Sequence, residues 1–173
     1  MNDKNHGRVG DHLRHCLDKV IEEVAALAGG PLISKLVEKR YITSLFAENC
    51  LASWCATKGV NVAPCPLYQY PLYDTPHGDI DERLADLYGR KFCYAYLCIP
   101  VQEDVHSNRI RVTMARPDNT ALVARMKKEI QATFRKRHSS QVVDDNPAVE
   151  ICVSTQGAIE WFISFCTTEL FGL

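Results

Sequence analysis

The sequence predicts an α+β protein: an N-terminal helical layer followed by a small β-β-α-β-α sheet domain. Three observations carry this expectation. Apolar residues in the first third recur at helical spacing. Two segments near the middle, Phe92–Pro100 and Arg109–Ala115, have the character of strands. Helical and strand periods then alternate to the end of the chain. The 173 residues, 24% charged and 46% hydrophobic, match the length and composition of one globular domain rather than a disordered, collagenous or coiled-coil chain. The expected organisation is a helical subdomain over 9–60, a proline-rich connector over 61–79 and an α/β subdomain over 80–173.

Val9 to Ala28 reads as an amphipathic helix. Leu13, Leu17, Val20, Ile21, Val24 and Leu27 share one face, and Gly29-Gly30-Pro31 stops it. A short helix over Leu32–Lys39 follows. Thr43 or Ser44 then caps a third, carrying Leu45, Phe46, Cys50, Leu51 and Trp54 and ending at Gly59. Pro64, Pro66, Pro71, Pro76 and Gly78 punctuate the connector and preclude a long helix there. Ile80–Tyr88 resumes a helix stopped by Gly89. Phe92–Pro100, apolar at nearly every position, reads as a strand covered on both sides. Arg109–Ala115 alternates, with Ile110, Val112 and Met114 inward and Arg109, Arg111 and Thr113 outward, and the polar stretch 103–108 joins the two as an antiparallel hairpin. Pro117-Asp118-Asn119 opens a helix running to about Arg137 with a stripe of Leu122, Val123, Met126, Ile130 and Phe134. Val149–Val153 is a third strand, and Gln156–Phe171 a last helix, apolar around most of its girth.

Charge and motifs narrow the function. Twenty basic and 21 acidic residues balance, which argues against nucleic-acid capture by the whole surface. The polar N-terminus has no apolar run behind it, and no stretch reaches the ~18–20 apolar residues that span a bilayer, so a cytoplasmic protein without a membrane span is expected. Eight cysteines are too few for a disulfide scaffold and read as reduced core thiols. No G-x-x-x-x-G-K-[ST] loop, G-x-G-x-x-G, G-x-S-x-G or H-E-x-x-H occurs, and nothing marks a nucleophile beside a base, so no catalytic residue is expected.

Two clusters allow two readings each. His12, His15 and Cys16 at i, i+3 and i+4 are either a partial zinc site or packing and surface residues. Arg125, Lys127, Lys128, Arg135, Lys136, Arg137 and His138 are either solvated cations at a helix C-terminus or a patch for an acidic partner, a headgroup or a nucleotide phosphate. On the last helix Trp161, Phe165 and Phe171 widen the apolar stripe beyond what one neighbour covers. They are therefore candidate partner-binding residues, together with the outward Arg109 and Arg111.

The order of these elements resembles a known family. Pro71-Leu-Tyr-Asp74, Ile80-Asp-Glu-Arg-Leu-Ala85, Cys98-Ile-Pro-Val101, Val112-Thr-Met-Ala-Arg-Pro117, Val149–Val153 and Ile159 through Phe171-Gly172 follow in the order seen in one group of proteins. That group is the N-terminal domain of bacterial type II secretion and type IV pilus assembly ATPases, the general secretion pathway protein E and PilB-like family. Arg116 stands where the family usually has Asp. Upstream, Leu32–Thr43 is similar to a helix pair that binds cyclic di-GMP in some relatives, with Pro31, Ile33 and Arg40 in place of an arginine and two glycines. The resemblance implies a non-catalytic adaptor without a cofactor. Its partner would be the cytoplasmic domain of an inner-membrane platform protein, which would hold it peripherally at that membrane. The alternatives are a cyclic di-GMP sensor using Arg40 and Lys35, and a zinc-binding regulator.

Overall fold

A computed structural model describes residues 36–39, 42–65, 67–69, 72–76, 80–139 and 146–168. The helix expected over Val9–Ala28 lies outside them. Of the one expected over Leu32–Lys39, 36–39 are described, and 36–38 are helical. Helix α1 is Ser44–Thr57. Thr43, extended in its backbone, caps it by accepting from Phe46 N at 3.2 Å. It ends at Lys58-Gly59, where Gly59 takes φ +76°. Its buried face is Ser44, Ala47, Glu48, Leu51 and Cys55, whereas Leu45 and Phe46 are exposed. This corrects the expected apolar stripe. The helix has bulky side chains on two sides, and the side that packs against Val37 and Val153 carries mostly the smaller ones.

The connector supplies three short strands rather than loop alone: β1 (Ala63–Pro64), β2 (Tyr68–Gln69) and β3 (Leu72–Pro76). β2 and β3 form a separate antiparallel ribbon. β1 joins the main sheet at its edge, the place where a proline is tolerated in a strand.

Helix α2 (Arg83–Tyr88) begins where Asp81 accepts from Arg83 N at 3.1 Å, and Asp81 N itself donates to Val101 O at 2.8 Å. Gly89, at φ 93°, turns the chain into α3 (Arg90–Tyr96). Leu97 then adopts the left-handed conformation and β4 (Cys98–Asp104) starts. The strand expected over Phe92–Pro100 is thus half helix. Its near-continuous apolar character belongs to a helix whose Cys93 and Tyr96 are buried and whose Phe92 touches both core layers, while Tyr94 is exposed. A short apolar run does not by itself distinguish the two conformations.

β4 turns through 105–108 into β5 (Arg109–Met114), and the antiparallel hairpin is as expected. Asp104 stabilises the turn by accepting from His106 N and Ser107 N. Helix α4 (Thr120–Arg137), capped by Asn119, carries the chain over to β6 (Ala148–Val153), which lies parallel to β5. Helix α5 (Gln156–Thr168) follows. The mixed sheet has the order β1-β6-β5-β4.

An irregularity between Pro100 and Gln102 inserts Val101 as an extra residue, and side chains of β4 are buried on both faces of the sheet. One face, with Cys98, Ile110, Val112 and Met114, packs on Met126, Ile130 and Phe134 of α4. The other, with Ile99 and Val101, packs on Ile159, Phe162 and Ile163 of α5. α1 meets the end of β6 through Ala47, Leu51 and Val153. The fold is α+β. No helix of the described residues is long and apolar enough to cross a membrane.

Candidate functional site

Strand alternation places Arg109, Arg111 and Thr113 on the sheet face opposite α4. The parallel register sets Glu150 beside Arg111 and Cys152 beside Thr113. Thr113 is fully buried, but the two arginines remain 62% and 46% exposed along their side chains. Glu150 sits between them, Oε1 3.5 Å from Arg109 Nη1 and Oε2 3.5 Å from Arg111 Nε. Exposed pairs of this kind contribute about 0–1 kcal/mol, so both guanidiniums stay free to engage a partner carboxylate or phosphate.

These side chains line a polar groove of about 170 Å³ with Gln102, Asp104 and Ser107. Arg111 and Glu150 also border a larger cavity of about 570 Å³, whose wall includes Ile80, Val101, Cys65 and Cys152. A charged mouth therefore adjoins a mainly apolar, thiol-bearing recess.

Near the recess the protein buries a carboxylate. Glu48 of α1 is fully buried, with Oε1 accepting from Ser154 Oγ at 2.7 Å and Oε2 without a partner. Burial pushes its carboxyl up to about 8, against the opposing pull of the Ser154 hydrogen bond. Thr113 Oγ1 is likewise buried without a partner. Cys65 and Cys152 both border the recess. The nearby Cys152 thiol and burial push the Cys65 thiol up, whereas the nearby Cys65 and, to a lesser extent, Arg111 draw the Cys152 thiol down against the cost of burial.

A second polar node, on the α4 side, is structural. Glu103 accepts from Tyr88 Oη at 2.5 Å and from Arg137 Nη1 at 2.7 Å, with His138 Nε2 at 3.3 Å. The basic end of α4 is accordingly divided. Arg137 and His138 turn inward to Glu103, and Arg135 and Lys136 stay exposed.

Of the residues expected to bind a partner, the structure brings Arg109 and Arg111 together through Glu150. Trp161, 37% exposed on α5, is not among the groove's lining residues. The Phe165 side chain and all of Phe171 lie outside the described residues, as do Arg40, Lys35, His12, His15 and Cys16. Among the described residues no group of three or more His, Cys, Asp or Glu side chains could hold a metal ion. Sequence reasoning missed Glu48, Glu150, Cys65 and Cys152. For Glu48 a signal existed, since it lies four residues after Ser44 and three before Leu51, on one helical face.

Comparison with known proteins adds one finding. Residues 68–138, from β2 through α4 to its end, match the MshEN domain, the N-terminal domain of type II secretion and type IV pilus assembly ATPases. No curated protein matches the chain.

Proposed function

We propose, with the MshEN domain at residues 68–138 as the premise, that this protein is a non-catalytic adaptor. It docks a secretion or pilus-assembly ATPase onto the cytoplasmic domain of an inner-membrane platform protein. The domain match is the observation that carries the reading, because an MshEN domain by itself is non-catalytic. Two features of the surface support it. Arg109 and Arg111 are weakly paired cations of the type that recognise acidic side chains bidentately. Trp161 is a large aromatic left at the surface, as interface anchors are. On this reading the protein works in the cytoplasm, takes no cofactor and reaches the membrane only through its partner.

The test is binding to the immobilised cytoplasmic domain of the cognate platform protein. Replacing Trp161 and Phe165 together with serine, or both Arg109 and Arg111 with glutamate, should weaken binding at least tenfold with the thermal melt nearly unchanged. Undiminished binding by both variants overturns the assignment of the surface, and absence of binding by the unaltered protein overturns the adaptor reading. Calorimetry with cyclic di-GMP and metal analysis of purified protein address the alternatives. Micromolar nucleotide binding lost on substituting Arg40 and Lys35 favours a sensor, and stoichiometric zinc lost on substituting His12, His15 and Cys16 favours a metal-dependent regulator.

A further inference from the structure

On the sheet face that α4 covers, the parallel half stays partly open. Val149, Ile151 and Val153 are alternate residues of β6 and share that face. Val153 is sealed by Val37, Ala47 and Leu51, whereas Val149 and Ile151 are only half-buried. They floor a mainly apolar groove of about 410 Å³. One wall is a stripe of α4, Thr120, Val123, Ala124 and Lys127, at i, i+3, i+4 and i+7. The other wall includes Val60 and Val62, on the chain between α1 and β1. Parallel strands are ordinarily covered by helices on both faces, and the small Ala124 lets a second helix approach α4 closely. We infer that this groove is the seat of the chain's own N-terminal segment: the amphipathic helix that the sequence predicts over Val9–Ala28 docks there, beside α4, through its apolar face. The inference does not rest on the adaptor reading, since Arg109 and Arg111 lie on the opposite face of the sheet.

Place, size and charge single out this occupant. Val37, near the start of the described chain, packs on Val153, which is two residues along β6 from Ile151. That step is about 7 Å of strand. The eight residues Gly29–Leu36 join Val37 to the predicted helix, and even at a helical rise they span about 12 Å. The segment therefore leaves the described fold next to its seat. Val62 of the groove wall also packs on the cluster of Val37, Ala47 and Leu51, so a helix in the groove extends an apolar layer that is already there. The α4 wall is about 10 Å long, and the half of the predicted helix nearest Gly29, with Val20, Ile21, Val24 and Leu27, is enough to fill it. Lys127 on the rim joins no ion pair among the described residues, and Asp18 and Glu23 flank the predicted apolar stripe. Tethering by so short a linker gives an effective concentration on the order of a millimolar, against which a helix from another molecule competes poorly.

The test uses the full chain. A photoreactive benzophenone amino acid replaces Thr120, an exposed residue of the groove wall, in an equal mixture of ordinary and isotopically heavy protein, and the irradiated peptides are mapped by mass. The expected products join position 120 to residues within 13–27, light to light and heavy to heavy only. Ile21→Asp together with Val24→Asp should reduce these products at least tenfold. The same double change should speed amide exchange over 13–27 at least tenfold and leave β5 as protected as before. Ala124→Glu, which spoils the groove from its other side, should have the same effect on exchange. No product within 13–27, products that mix light and heavy chains and so mark a second copy, or exchange unaltered by both changes would each overturn the proposal. The map from the chain altered only at Thr120 decides the matter even if the other variants fail to fold.

Discussion

Glu48 is a carboxyl held on a buried helix face with a single partner, Ser154, and its acidity follows from that position. Its ordinary value near 4.5 is raised to about 8 by burial. Between those values the folded protein keeps a proton that the unfolded chain releases. The stabilisation is therefore complete below about pH 4.5, declines as pH rises through the folded value, and levels off above it. The slope approaches ~1.4 kcal/mol per pH unit. The urea midpoint is expected to fall steadily from pH 5 to 8. Glu48→Gln, which reproduces the neutral acid's shape and keeps an acceptor for Ser154, should flatten that profile and be more stable at pH 8 by about 2–4 kcal/mol. An unaltered slope in the variant would show that another group titrates. The residue was only partly legible in the sequence. Its helical register pointed inward, but α1 also carries Leu45 and Phe46 on another side, and hydrophobicity alone favours them. What decides the face is contact with β6, more than a hundred positions away.

Among the elements, α4 and β5 follow from the sequence because each has one clear period and one covered face. Met126, Ile130 and Phe134 recur at i, i+4 and i+8 and are all fully buried, against Ile110, Val112 and Met114 at strand spacing. Phe134→Ala should cost about 3–5 kcal/mol in denaturant unfolding, since the cavity left between α4 and the sheet adds to the lost transfer energy. A loss below about 1 kcal/mol would mean that the layer collapses to fill the space. Residues 92–96 depart from the expected strand for the converse reason: their apolar side chains serve two core layers at once, which erases the period. Gly89, at φ 93° with no neighbour within 4 Å of where a Cβ would stand, is required by its backbone alone. Its role as a stop after α2 was legible, whereas the helix it also starts was not.

At the scale of the whole molecule, the two arginines of the groove were legible from alternation along β5, but the recess beside them was not. It depends on β1 being a strand and on β6 lying parallel to both neighbours, and neither two residues of Ala63–Pro64 nor a local period carries that information. Amide hydrogen exchange should reflect the same asymmetry. Protection in β5, paired along its length on both sides, is expected to exceed that of Val62 through Cys65 by at least a hundredfold, and equal protection would contradict a weakly held edge. The two sides of the sheet also differ in how far apart their strands lie along the chain. β4 and β5 are joined by a four-residue turn, but Ala63 must find Cys152, so one seam can close while the protein is still leaving the ribosome and the other waits for β6 to emerge. Throughout that interval the lone edge has no native neighbour, and this stretch is where a chaperone, or an aggregate, would take hold of the nascent protein.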